Sequence, residues 1–188
     1  SNLVTVSIPT VLTTTLTFID SYALANCSSL TDINLGNINH IGDYAFMNCG
    51  LTVVDISSAT EIGVSAFEGC NYLQSMTLPF IGMSLTNHNS GYFWEIFGDD
   101  YTNIPASLIN ITISDTTATT ITSFAFEFCG NVQTINLTAM IALTEIGSWA
   151  FSSNSELSTV LLPYLDSQVD AESSDQADSE SSEQLSLG

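Results

Sequence analysis

The carboxylates Asp99 and Asp100, with Glu95 four residues before them, are the side chains in this sequence best spaced for chemistry. Paired carboxylates can share general acid–base work in a hydrolase, or gather oxygens around a Ca²⁺ ion. The rest of the sequence withholds the partners either role needs. Only two histidines occur, His40 and His88, and there is no G-x-S-x-G elbow, H-E-x-x-H helix or Walker loop, so no catalytic residues are assigned. No repeated Asp/Gly calcium loop supports an ion there. The four cysteines, Cys27, Cys49, Cys70 and Cys129, lie far apart, whereas a zinc site is built from close pairs. Neither a metal nor a cofactor is expected. What surrounds Asp99 and Asp100 is instead recognition chemistry: Asn87, His88, Tyr92, Trp94 and Tyr101 mix aromatic faces with polar groups. These seven residues are the candidate ligand-binding set.

The elements that must position them follow from a repeat. Ile41-Gly42-Asp43-Tyr44-Ala45-Phe46-Met47-Asn48-Cys49 returns at Ile62 to Cys70, Ile121 to Cys129 and Ile146 to Phe151, with a worn copy at Ile19 to Cys27. The phenylalanine position advances by 22, 21, 59 and 25 residues from Leu24 through Phe46, Phe67 and Phe126 to Phe151. Periods of about 20–30 residues belong to solenoids, in which one unit stacks on the next. A second half-motif alternates with the first and has apolar residues at its positions 1, 4 and 6. Examples are Leu51, Val54 and Ile56, or Val132, Ile135 and Leu137. Its end alternates apolar and polar residues, the period of a half-buried strand, so each coil contributes one short strand to a parallel row.

The Ala-Phe segment forms the opposite wall. Ile41, Ala45, Phe46 and Cys49 have the spacing of one face of a short helical stretch. Gly42, Gly63 and Gly147 mark a turn that needs positive φ. The cysteines share one place in the repeat and are expected as a buried column of free thiols; the last copy carries Asn154 there. His40 is expected as an exposed turn residue.

Composition narrows the partners. The chain has 188 residues, no Lys or Arg, 20 Asp and Glu, and a net charge of −20. It has nothing with which to neutralise phosphate, so nucleic acid and anionic membrane surfaces are poor partners. A hydrophobic content of 45% argues for a folded body, but no apolar run reaches a membrane span and no signal-like segment opens the sequence.

The period breaks at about residues 79–107, an expanded repeat. Within it the run Tyr92 to Phe97 is expected as a helix, with Phe97 replacing the repeat phenylalanine and Phe93 plugging the coil. Insertions in repeat proteins project from one face and carry binding, which makes 82–103 the candidate functional surface. After Pro163 the sequence becomes Ser-, Asp-, Glu- and Gln-rich, so residues 1–163 read as the solenoid and 164–188 as an acidic tail or linker.

The repeated I-G-x-x-A-F-x-x-C, preceded by L-x-x-I-x-I, resembles the BspA-like leucine-rich repeat family of surface proteins. That resemblance implies an α/β fold: a right-handed leucine-rich-repeat solenoid with short parallel strands on one face and short helical or turn segments on the other. It also implies a non-enzymatic module outside the cell or on its surface that adheres to an extracellular protein or glycan. The second reading is a structural subunit that self-associates through its terminal repeats into filaments or surface layers. The absence of lysine at the turns departs from the family's habit.

Overall fold

The computed structural model describes residues 16–35, 37–82 and 91–163, and the backbone of residues 5–7. Twelve short strands follow one another: β1 (Thr5–Ser7), β2 (Phe18–Ile19), β3 (Asp32–Asn34), β4 (His40–Ile41), β5 (Val53–Asp55), β6 (Glu61–Ile62), β7 (Ser75–Leu78), β8 (Asn110–Ile113), β9 (Thr120–Ile121), β10 (Thr134–Asn136), β11 (Glu145–Ile146) and β12 (Thr159–Leu161). They form two rows of parallel strands, not the single row the sequence suggests.

In the longer row β5, β7, β8, β10 and β12 make one five-stranded sheet, and β1 pairs with β3. Register follows the apolar pattern: Val54 faces Met76, Met76 faces Ile111, Ile111 faces Ile135, and Ile135 faces Val160. Because side chains alternate along a strand, this register points every one of these residues inward. The flanking columns are equally closed, with Leu30, Leu51, Leu73, Leu108 and Val132 fully buried. Each such side chain contributes about 1.5–3 kcal/mol relative to exposure. β3 and β5 lie side by side without forming a ladder, at the coil where Cys49 and Leu51 stand one residue closer than their equivalents.

The second row pairs Ile19 with Ile41, Ile41 with Ile62, and Ile121 with Ile146. His40 belongs to it. Its ring stacks on Phe18 at 4.1 Å, and its Nδ1 lies 2.9 Å from Glu61 Oε2 in the next coil. It is therefore a half-buried strand residue, not the exposed turn residue expected.

The Ala-Phe wall is not helical. Positions 4 and 8 of the motif have positive φ, as at Tyr44 (56°) and Asn48 (58°), Tyr22 and Asn26, Phe124 and Phe128, or Trp149 and Ser153. Along these turns amides alternate: those of Ala45 and Cys49 close their own turns by donating to Gly42 O and Phe46 O, while those of the left-handed residues and of the phenylalanine between them point toward the neighbouring coil. Thus the Tyr44, Phe46 and Asn48 amides donate to the carbonyls of Val64, Ala66 and Glu68 at 3.1, 2.8 and 2.7 Å. A helix would spend these donors within itself; here they join the coils. The ladder presses the walls so close that the first glycine of the motif has no room for a side chain. A Cβ on Gly42, Gly63 or Gly147 would collide with the backbone of the preceding coil, at Ser21, Asp43 or Ser123 respectively. None of the three has positive φ, so close approach is what requires glycine.

Inside the wall the phenylalanines stack. Phe46 and Phe67 lie 5.2 Å apart and Phe126 and Phe151 5.5 Å, with rings nearly parallel in both pairs. Beside them runs the cysteine column. Cys49 Sγ donates to Leu24 O and Cys70 Sγ to Phe46 O, both at 3.2 Å. Asn154 takes over this task, its Nδ2 donating to Phe126 O at 2.9 Å. The cysteine is thus a small apolar residue with one weak donor, which explains why asparagine can stand in its place.

Burial pushes the Cys49 thiol up to about 11 and the Cys70 and Cys129 thiols up to about 12, from an ordinary value of 9.0. Folding therefore favours the protonated thiol. Its stabilisation is complete below the unfolded value and is lost as pH rises from there through the folded values. Two results are expected. A thiol reagent at about pH 8 leaves Cys49, Cys70 and Cys129 unreacted until the protein is denatured, and the denaturant midpoint falls steadily above about pH 9. Fast native-state modification of Cys70 or Cys129 would contradict the buried column.

Candidate functional site

The expanded repeat begins as an ordinary strand, β7. Phe80 is buried. Gly82, at φ 89°, and Gly91 meet backbone to backbone, an approach no side chain would allow. Chain from Gly91 onward belongs to the wall. Tyr92 is extended (φ −89°, ψ 138°) and starts a 3₁₀ helix, Phe93–Ile96, where the sequence pattern indicates a helical turn. The Tyr92 amide donates to Glu95 Oε2 at 3.3 Å, satisfying one donor that a helix start leaves open. Burial holds the Glu95 carboxyl above the usual carboxylate range, opposed by that hydrogen bond.

Three-residue periodicity sorts the side chains of this turn. Phe93 and Ile96 fall on one side and are buried together with Phe97, while Tyr92 is exposed and Trp94 half-buried, their rings stacked at 5.3 Å. Phe97 is a core residue as expected, but it is Phe93 that carries the aromatic column on, 5.9 Å from Phe126. The turn is joined to both neighbours: the Ser65 and Phe67 amides donate to Glu95 O and Ile96 O, and the Phe93 amide donates to Ala125 O. Tyr92 and Trp94 are consequently held as firmly as the regular coils.

A second 3₁₀ turn, Tyr101–Asn103, follows. Asp100 caps it, its Oδ1 accepting from the Thr102 amide at 2.8 Å, and Asp99 Oδ1 accepts from Asn103 Nδ2 at 3.4 Å. These two carboxylates are exposed and engaged with their own loop. Tyr101 projects back over the next coil and stacks on Phe128 at 4.2 Å.

Of the seven expected residues, Tyr92, Trp94, Asp99, Asp100 and Tyr101 therefore share one rigid outcrop on the turn wall. Asn87 and His88 lie outside the described residues. Outside the expected set, Phe124, Phe128 and Trp149 occupy left-handed positions of regular coils and are 36%, 39% and 67% exposed. Their signal was present: an aromatic at the fourth or eighth place of a motif whose fifth and sixth places point inward.

Among the described residues no group of three or more His, Cys, Asp and Glu is placed to hold a metal ion, and no helix is long and apolar enough to cross a membrane. The depression beside the strand face, lined by Asp32, Asn34, Val53, Asp55 and Ser57, is shallow and open. Among the described residues of the outcrop no nucleophile and base are paired. What the described residues present there is aromatic rings with carboxylate oxygens nearby in the same loop.

The pattern of the BspA type leucine rich repeat region matches residues 1–111 and 105–173, in six copies. No curated protein matches the chain. Among solved structures, a leucine rich cell surface protein from Faecalibacterium prausnitzii A2-165 aligns with a TM-score of 0.44 and 22% identity over 86% of this chain. A leucine-rich repeat protein from Bacteroides ovatus ATCC 8483 aligns with a TM-score of 0.28 and 18% identity over 85% of it. The chain spans 42% of the first protein and 61% of the second.

Proposed function

The chain belongs to the BspA-type leucine-rich repeat family, and from that premise we propose that it is a non-enzymatic adhesion module presented outside the cell, where it holds a protein or glycan ligand. The observation that carries this reading is the outcrop. Tyr92, Trp94 and Tyr101 are aromatic side chains displayed on a rigid base with their rings already stacked, so little conformational entropy is lost when a partner covers them. Aromatic residues of this kind dominate the energy of protein contacts. Catalysis finds no support on the same surface, since Asp100 and Asp99 are engaged in local turn hydrogen bonds.

The test is to pass the immobilised chain over panels of extracellular-matrix proteins, glycans and whole cells. Saturable binding to at least one is expected, and loss of that binding by about tenfold on Tyr101→Ala, the range for removing one aromatic anchor. No binding to any protein, glycan or cell would end the proposal.

A second reading, self-assembly into filaments, draws on the last coil. Ile146 and Leu162 are 45% and 51% exposed, while their equivalents Ile62 and Ile56 are 1% and 2% exposed. That end offers an apolar surface to a further coil, though the charge of −20 works against bringing copies together. A strict monomer in light scattering at high salt would remove this reading.

A further inference from the structure

The turn wall brings two kinds of group together. One is the set of aromatic faces. Tyr92 stacks with Trp94, Tyr101 stacks with Phe128, and at the far end Tyr22 stacks with Tyr44 at 4.9 Å. The left-handed positions turn Tyr22, Tyr44 and Phe128 outward, whereas Tyr92, Trp94 and Tyr101 are placed by the two 3₁₀ turns of the expanded repeat. The other is carboxylate. Glu95, Asp99 and Asp100 stand on the outcrop, and Glu127 adjoins Phe128 with its Oε1 accepting from Ser152 Oγ at 2.8 Å. Every hydrogen bond these acids receive is from a neutral donor.

With no Lys or Arg in the entire sequence, no carboxylate of this chain has an internal cation other than a protonated histidine or its own amino terminus. The one ion pair among the described residues is His40 with Glu61, on the second strand row. Among the described residues no cation stands beside the outcrop's carboxylates, so their charge is open to a partner. An aromatic face attracts a cation through its quadrupole, and a carboxylate beside the ring adds a direct Coulomb attraction. A neutral sugar would use the rings and leave the charge uncompensated; an acidic glycan would be repelled. Arginine suits both groups best, since its planar guanidinium stacks on a ring while its edge meets a carboxylate.

Building on the adhesion reading, we propose that the outcrop formed by Tyr92, Trp94, Tyr101 and Phe128, with Glu95 and Asp99, docks an arginine- and lysine-rich segment of a partner protein. Long-range attraction from the acidic chain draws the segment in, and the stacked rings decide where on the surface it settles. Glycans and second copies of the chain are the competing occupants.

The experiment measures binding of a fluorescein-labelled peptide of alternating arginine and glycine to the full chain by anisotropy, at low and at physiological salt. The probe set includes a sequence-matched glutamine peptide and a panel of neutral oligosaccharides. Binding of the arginine peptide is expected to weaken by about tenfold or more in Trp94→Ala combined with Tyr101→Ala, a protein with unchanged net charge. Asp99→Asn, which keeps every ring in place, is expected to weaken it about two- to fivefold, so the inference stays testable should the double variant unfold. Equal binding to all three proteins would overturn the inference by showing diffuse attraction alone. Oligosaccharide binding without peptide binding would overturn it while leaving the adhesion reading intact; binding of neither these probes nor any extracellular panel member would overturn both.

Discussion

Phe126→Ala is expected to cost about 3–5 kcal/mol, the range for deleting a fully buried phenylalanine into a site that cannot collapse. The site is closed on every side. Phe126 is 0% exposed, and its ring lies 5.9 Å from Phe93 on one side and 5.5 Å from Phe151 on the other. Relaxation is resisted by the backbone, because the Phe126 amide donates to Ala150 O at 2.8 Å and its carbonyl accepts from Asn154 Nδ2 at 2.9 Å. The cavity would therefore persist and weaken the joint between the expanded repeat and the coils that follow. In a solenoid each coil touches only its neighbours, so a weakened joint divides the cooperative unit. The denaturant transition should both move down and broaden. Phe124→Ala is the control: the residue stands two places earlier, 36% exposed on the outer side of the same wall, and should cost less than about 1 kcal/mol. Equal losses at the two positions would refute the inward column.

The strand row was legible in the sequence because alternation is a local property. Leu51, Val54 and Ile56 announce their burial within six residues, and Met76 facing Ile111 shows that the pattern survives the insertion between them. The second strand row was not legible. Its strands, such as His40–Ile41, are two residues long, too short for alternation to register. On the wall, helix and turn were not separable by spacing: Ile41, Ala45, Phe46 and Cys49 fit a helical face as well as they fit the successive tight turns the structure shows. The distinguishing signal was Asn26, Asn48 and Gly69 at one motif position, residue types that tolerate positive φ. Phe124, Phe128 and Trp149 hid that signal, since bulky residues rarely adopt such a conformation; here the ladder between coils holds them in it. Of the site, Tyr92, Trp94 and Tyr101 stood out because the period failed around them. Phe128 did not, because its stack on Tyr101 joins an irregular segment to a regular one and exists only in space.

Everything proposed for the outcrop depends on a rigid wall in which each coil rests directly on the one before. Glycine is where this contact is tightest. Gly63 lies against the backbone of Asp43 and Gly42, with no space for a methyl group, and its own amide donates to Ile41 O at 2.7 Å, so the coil cannot shift to make room. Gly130, at the far side of a later coil, has nothing within 4 Å of where its Cβ would stand and has no positive φ. The two substitutions are chemically identical and differ only in what the new methyl group meets.

The most direct measurement is accordingly the unfolding free energy of Gly63→Ala against that of Gly130→Ala. Gly63→Ala is expected to lose about 3 kcal/mol or more through overpacking against backbone that cannot move, while Gly130→Ala should stay within about 1 kcal/mol of the parent or gain slightly from a less flexible unfolded chain. If both variants were as stable as the parent, the coils would not be in contact at this wall, and the rigid aromatic surface inferred from that contact would have no foundation.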